Sequence, residues 1–141
     1  MRPGRLVLVV ALAAAGIVVA LAVGRVLAAN GDERGAIDDL VAAEARGDAR
    51  AVGDLVDRCA GGCARLVSRL RRSGRVEVLR IDPSTRFALA GLDGTTRVAW
   101  KAAGAAVAQC VEVRRRGDVV TGLRSELLTV SAPISIEKGC G

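Results

Sequence analysis

Four cysteines, Cys59, Cys63, Cys110 and Cys140, are the residues of this 141-residue chain with the best-defined chemistry. An even set in a chain that folds outside the cytoplasm indicates disulfides, in one of three connectivities. One helical turn between Cys59 and Cys63 places their Cα atoms about 6 Å apart, within the range that a disulfide spans. We therefore favour Cys59–Cys63 together with Cys110–Cys140, which closes a loop of about 30 residues.

Redox and metal chemistry fit the same cysteines less well. A redox centre is typically C-x-x-C with a lowered thiol pKa, whereas Cys59 and Cys63 form C-x-x-x-C on an apolar helix face. A Cys₄ zinc site typically has two close pairs, whereas Cys110 and Cys140 lie far apart in the sequence. We expect no metal and no cofactor.

The absent residue types argue against an enzyme. The chain has no His and no Tyr, which removes the usual general base near neutral pH and the commonest metal ligand. We expect a non-catalytic protein. The alternative is an enzyme that uses a carboxylate, such as Glu112 or Glu126, in a deep cavity beside the single tryptophan, Trp100.

A basic run, Arg114, Arg115 and Arg116, is the one candidate binding patch. It is typical of an exposed hairpin tip, and it could alternatively bind anionic head groups or an acidic protein partner. Nucleic acid is not expected, because the chain has only two aromatic residues to stack on bases. The net charge of the chain is +6, and it falls to about +3 when the three arginines beside the N-terminal apolar segment are left out. The remaining domain is therefore not basic enough to indicate nucleic-acid binding.

The N-terminal segment predicts a membrane anchor. Residues 1–5 carry Arg2 and Arg5, and Leu6–Val23 contains no charged or strongly polar side chain. As a helix this run is about 27 Å long, close to the thickness of the hydrocarbon core. We divide the chain into a cytoplasmic N-terminus (1–5), a transmembrane helix (6–29) that ends at a break at Asn30-Gly31, and an extracytoplasmic domain (30–141). A signal cleaved after Val26-Leu27-Ala28 is the rival, and the protein would then be secreted.

The remaining residues predict an α+β domain. Helical periodicity extends from Asp32 to Arg46 and resumes after a stop at Gly47 and an N-cap at Asp48. Gly61-Gly62 interrupts it, and it resumes from Cys63 to about Arg72. The second helix would carry Val52, Leu55, Val56 and Cys59 on one face. A period of two then predicts five strands: Arg75–Ile81, Arg86–Ala90, Thr95–Ala102, Ala106–Arg115 and Val119–Ser131. Turns are expected at Gly91–Gly94 and Gly117-Asp118. Two to three helices should pack on one face of a roughly five-stranded antiparallel sheet.

The segment Val41–Val56, in which one helix ends at Gly47-Asp48 and another begins, resembles the opening of NTF2-like (cystatin-like) domains. The resemblance covers roughly Asp32 to Ser131 and implies a conical pocket between the helices and a curved sheet. Enzymatic members place His, Tyr or Asp in that pocket, and this chain lacks the first two. The layout is also similar to single-span actinobacterial envelope proteins, including those associated with lipid-importing Mce systems.

The sequence therefore predicts a single-pass bacterial membrane protein with a non-catalytic, disulfide-stabilised domain outside the cell membrane. We expect it to bind a protein partner in an envelope assembly or a small apolar ligand.

Overall fold

The computed structural model describes residues 3–83, 93–118 and 122–141. These residues form an α+β structure with a long apolar N-terminal helix, which confirms the predicted class. The elements in chain order are α1 (Pro3–Arg46), α2 (Ala49–Leu55), β1 (Val56–Cys59), α3 (Cys63–Leu70), β2 (Val76–Asp82), β3 (Asp93–Ala102), β4 (Ala105–Asp118) and β5 (Gly122–Val130).

Helix α1 is unbroken over 44 residues, which corresponds to about 66 Å. The break predicted at Asn30-Gly31 is therefore wrong. Asn and Gly lower helix stability by only about 1 kcal/mol each, which packing can outweigh. Here the Asn30 side chain accepts a hydrogen bond from Arg115 of β4, and Ile37 farther along the helix is fully buried. One helix thus contains both the apolar N-terminal segment and the first core-forming segment of the domain.

The corner between α1 and α2 has the predicted geometry. Gly47 adopts a positive φ of 74° and so ends α1 in a conformation that favours glycine. The Asp48 side chain then accepts a hydrogen bond from the backbone N–H of Ala51 at 3.0 Å, which makes Asp48 the N-cap of α2.

The sheet is mixed, and the prediction of a purely antiparallel sheet is wrong. Its strand order is β1-β5-β4-β3-β2, and β1 runs parallel to β5 while the other neighbours are antiparallel. The sequence places the residues of β1 in the second helix, because Val52, Leu55, Val56 and Cys59 have helical spacing. That helix instead ends at Leu55 after seven residues. Pairing of Val56 with Leu127 overrides a weak local periodicity.

The antiparallel strands follow the sequence more closely. Strands β2, β3 and β4 begin or end within a few residues of the prediction, except that β4 continues to Asp118 through the turn expected at Gly117-Asp118. Strand β5 is described from Gly122 to Val130, and the predicted start at Val119 lies outside the described residues. The strand predicted at Arg86–Ala90 and the first half of the Gly91–Gly94 turn also lie outside the described residues, while Asp93 and Gly94 belong to β3.

The helices cover one face of the sheet, as expected. The inner face of β3 contributes Val98, Trp100 and Ala102, which are at most 1% exposed. Opposite them, α1 buries Ile37, Leu40 and Val41 to the same degree. The core is completed by Val52, Val56, Leu66, Val67, Leu70, Val107, Val111, Val113, Leu127 and Val130.

The C-terminal segment crosses the outer face of the sheet. Ile134 forms an isolated antiparallel bridge with Ala108, and Cys140 is joined to Cys110. The Arg97 guanidinium donates to the backbone oxygens of Ile136 and of Lys138, the latter at 2.9 Å. These contacts explain why Ala108 is fully buried although it lies on the face opposite the helices.

Replacing Ile37 by alanine tests whether the second half of α1 belongs to the core. We expect Ile37→Ala to lower the free energy of unfolding by about 2–5 kcal/mol, because a fully buried side chain is removed and a cavity remains. Urea unfolding followed by the fluorescence of Trp100 measures it. Leu79→Ala, at a position 46% exposed, is the control and should change stability by less than about 0.5 kcal/mol. Equal effects of the two substitutions would contradict the packing of α1.

Candidate functional site

The four cysteines form the two pairs favoured from the sequence. Cys59 and Cys63 are bonded with their Cα atoms 5.0 Å apart, and Cys110 and Cys140 with theirs 5.7 Å apart. The first bond connects the end of β1 to the start of α3, and the second fixes the C-terminal segment to β4. The cysteine sulfurs are therefore structural cross-links.

The three consecutive arginines do not form one surface. Arg114 and Arg116 are on the outer face of β4, where they pair with Asp93 at 2.7 Å and Glu126 at 2.9 Å. Arg115 points to the opposite face and is only 7% exposed. The candidate patch Arg114–Arg116 is thus divided by the alternation of a strand, which places successive side chains on opposite faces.

Arg115 belongs to a polar network that joins α1 to the sheet and whose members other than Asn30 are buried. Its Nη2 donates to Glu33 Oε2 at 2.9 Å and to Asn30 Oδ1 at 3.0 Å. The other Glu33 oxygen accepts from the Thr96 hydroxyl at 2.5 Å, so both carboxylate oxygens have partners. We call Asn30, Glu33, Thr96 and Arg115 the junction network. It lies where the exposed apolar part of α1 gives way to the buried part.

The sequence contained a signal for the buried position of Arg115 that the prediction did not use. Val107, Val111 and Val113 lie on the inner face of β4, and continuing their period of two along the sequence reaches Arg115. Its positive charge alone suggested an exposed tip. The acidic partner on α1, Glu33, is 82 residues away, and no local pattern indicates that pairing.

A second buried polar network lies farther along α1. The Trp100 indole N–H donates to Gln109 Oε1 at 2.9 Å, and Gln109 Nε2 donates to Glu44 Oε1 at 3.0 Å. Gln109 Nε2 also lies 3.4 Å from the backbone oxygen of Ser131. Glu44 has no exposed surface, and its Oε2 has no hydrogen-bond partner. We call Glu44, Trp100, Gln109 and Ser131 the distal network.

Burial sets the ionisation of Glu44. Desolvation raises the pKa of this carboxyl from 4.5 to about 7, and the hydrogen bond from Gln109 opposes that change only partly. Near neutral pH the group is therefore divided between its charged and neutral forms. A buried carboxyl of this kind has the proton affinity of a general acid or base, but it lies within the packed contact between α1 and β4.

The carboxylates that sequence reasoning proposed for catalysis lie elsewhere. Glu112 and Glu126 are both exposed, on the outer faces of β4 and β5, and Trp100 is fully buried in the core. Glu126 instead borders an open polar groove beside β5, together with Gly53, Asp57, Arg116 and Ser125. The structure therefore does not bring Glu112 or Glu126 beside Trp100.

Among the residues that the structure describes, no group of three or more Cys, Asp or Glu side chains is arranged to hold a metal ion. Comparison with known proteins adds no relative: no protein-family model, curated protein or solved structure matches the chain.

Removing one member of the junction network tests the buried ion pair. We expect Arg115→Met to lower the free energy of unfolding by about 3–5 kcal/mol, because the Glu33 carboxylate stays buried without its counter-charge. Adding Glu33→Leu should recover part of this loss, although the Thr96 hydroxyl then loses its acceptor. Arg114→Met, one residue earlier in an exposed ion pair, is the control and should lower the free energy of unfolding much less. Equal losses of stability in Arg114→Met and Arg115→Met would contradict the burial of Arg115 and the exposure of Arg114. Urea titration measures all of these variants.

The raised pKa of Glu44 predicts a pH-dependent stability. Between about pH 4.5 and 7 the folded chain holds a proton that the unfolded chain has released, so the free energy of unfolding falls as pH rises through this window. The steepest contribution of one group is about 1.4 kcal/mol per pH unit. Glu44→Gln should flatten the profile in this window and raise stability above pH 7 relative to the wild type. Glu112→Gln, an exposed carboxyl, should leave the profile unchanged. An unaltered slope in Glu44→Gln would show that another group causes the dependence. Urea titrations at a series of pH values measure the free energy of unfolding of each variant.

Proposed function

We propose that this chain is a single-pass protein of a bacterial cell membrane whose extracytoplasmic domain is a non-catalytic interaction module of an envelope assembly. The N-terminus would lie in the cytoplasm and residues 30–141 on the other side of the membrane. The proposal includes an NTF2-like origin for the domain, on the resemblance of Val41–Val56.

The observation that carries the proposal is the division of α1. Its large apolar side chains from Leu6 to Val23 are each more than 50% exposed, and within one continuous helix Glu33, Ile37 and Leu40 are at most 2% exposed. A soluble domain does not leave a run of this length and apolarity in water, whereas a bilayer removes it from water. The helix is the one membrane-span candidate in the described part of the chain, with no part of its apolar window buried.

The two disulfides support the proposed side of the membrane. Disulfides persist outside the cytoplasm, and both pairs here close loops within one small domain. Arg2 and Arg5 precede the apolar segment. They favour a cytoplasmic N-terminus, because the cytoplasmic flanks of membrane spans carry an excess of Lys and Arg. The two lines of reasoning are independent and agree.

The packing of the domain supports binding by its surface. Trp100 is fully buried against β4, and the ionisable Glu44 lies inside the same packed layer. The described groove beside β5 is open and mainly polar. A surface of this kind fits a protein partner better than it fits a small apolar ligand, which needs an enclosed apolar site. Binding of such a ligand, or carboxylate catalysis, in an NTF2-like pocket is the alternative function.

The intact mass of the protein, expressed in bacteria and alkylated without reductant, tests the proposal. We expect the full-length chain with no alkylated cysteine, recovered from the membrane fraction. A chain shortened by about 28 residues would replace the anchor with a cleaved signal. Alkylated cysteines would contradict an oxidising compartment. Protease added to intact spheroplasts should degrade residues 30–141, and their protection would reverse the proposed orientation.

A further inference from the structure

The direction of β4 relative to α1 shows which end of the domain is nearest the apolar segment. Glu33 contacts Arg115 and, eleven residues later, Glu44 contacts Gln109. Eleven helical residues rise about 16 Å and six strand residues rise about 20 Å, so β4 runs antiparallel to α1 over this contact. The residues after Arg115 therefore continue back toward the N-terminal half of α1.

The end of β4 reaches the level at which the apolar run ends. The three residues from Arg115 to Asp118 extend about 10 Å, which equals about seven residues of helix. Counted back from Asn30–Glu33, this distance reaches the neighbourhood of Arg25. Arg25 is also the first described residue of α1 that is partly buried, since the side chains of residues 4–24 are exposed. The β4–β5 end of the sheet thus lies level with the first charged residue after Leu6–Val23.

Two arginines face each other at this end. Arg116 of β4 and Arg124 of β5 are directly opposite in the ladder, and both are exposed. Like charges in this arrangement repel, and Glu126 contacts Arg116 at 2.9 Å as the nearby counter-charge. Arg115, the residue before Arg116, lies on the inner face and is engaged by Glu33. The outward arginines of this end are therefore Arg116 and Arg124, and not the consecutive run Arg114–Arg116.

We propose that the Arg116–Arg124 pair binds the phosphate groups of anionic lipids at the membrane surface that α1 leaves. A guanidinium presents its donors in the geometry that phosphate oxygens accept, and an anion between the two strands relieves the repulsion. The pair lies two residues of β4 before Asp118, about 7 Å farther from the apolar run, and the helix holds it at the height of the head groups without a flexible linker. This inference rests on the proposed membrane anchoring, and it adds a defined contact between the domain and the lipid.

Photo-crosslinking in vesicles of phosphatidylcholine and phosphatidylglycerol tests the contact. Full-length protein carries benzoylphenylalanine in place of Leu12, of Glu126 or of Arg58, and lipid adducts are identified by mass. Glu126 is exposed and contacts Arg116, so a probe at this position leaves both arginines of the pair in place. Arg58 is exposed on β1, which runs parallel to β5 and so away from the membrane. We expect adducts from positions 12 and 126 and none from 58. Adducts from 12 alone would refute the lipid contact and leave the anchor intact. The absence of adducts from 12 would refute the anchor itself. Adducts from 58 as well would show that the contact is not specific to this end.

The role of charge is tested by thermal unfolding in the same vesicles, followed by Trp100 fluorescence. Raising the phosphatidylglycerol fraction should raise the melting temperature of the wild type, because the lipid binds the folded domain. Arg116→Gln/Arg124→Gln should lose this increase. Arg58→Gln/Arg65→Gln removes the same charge from exposed positions on β1 and α3. This control should keep the increase in melting temperature. An equal increase in all three proteins would refute the assignment to Arg116 and Arg124.

Discussion

The ion pair between Glu33 and Arg115 is the interaction on which the placement of the domain along α1 depends. It joins two residues 82 positions apart at the point where the helix changes from exposed to buried. A buried charge without its partner is strongly destabilising, so any shift of α1 along the sheet that separates this pair is opposed. The pair therefore fixes where the domain begins along the helix.

The distal network restrains the same contact at its other end. Between the two networks, α1 presents the small side chains of Ala36 and Ala43 to the core beside Ile37, Leu40 and Val41. Small residues pack closely but interlock weakly, and they specify the register of a helix on a sheet poorly. Glu44 and Gln109 add a hydrogen bond that is satisfied in only one register. The cost is a carboxyl with one oxygen unsatisfied and a pKa raised to about 7. We infer that these polar contacts are retained for register more than for stability.

Much of the fold could be predicted from the sequence because it is encoded locally. Gly47 and Asp48 mark a helix corner by their own backbone and side-chain preferences, and the period of two in β3 places Trp100 in the core. The strand Val56–Cys59 could not be predicted, because Val56 and Cys59 continue the helical spacing of α2 and enter a strand only through pairing with Leu127–Val130. The junction network was missed for a related reason. Periodicity gives the face on which Arg115 lies, but its partner is determined by the tertiary fold.

The continuity of α1 separates the stability of the domain from the reason for its long apolar extension. The side chains of residues 4–24 are exposed, so Leu6–Val23 contributes nothing to the core. A segment of about 18 exposed apolar residues that the fold does not use requires another apolar environment, and its length fits the hydrocarbon of a bilayer. Because the helix enters the domain without a flexible connection, that environment also determines how the sheet is oriented. In the proposed membrane arrangement, the continuous helix would hold the β4–β5 end at the membrane surface.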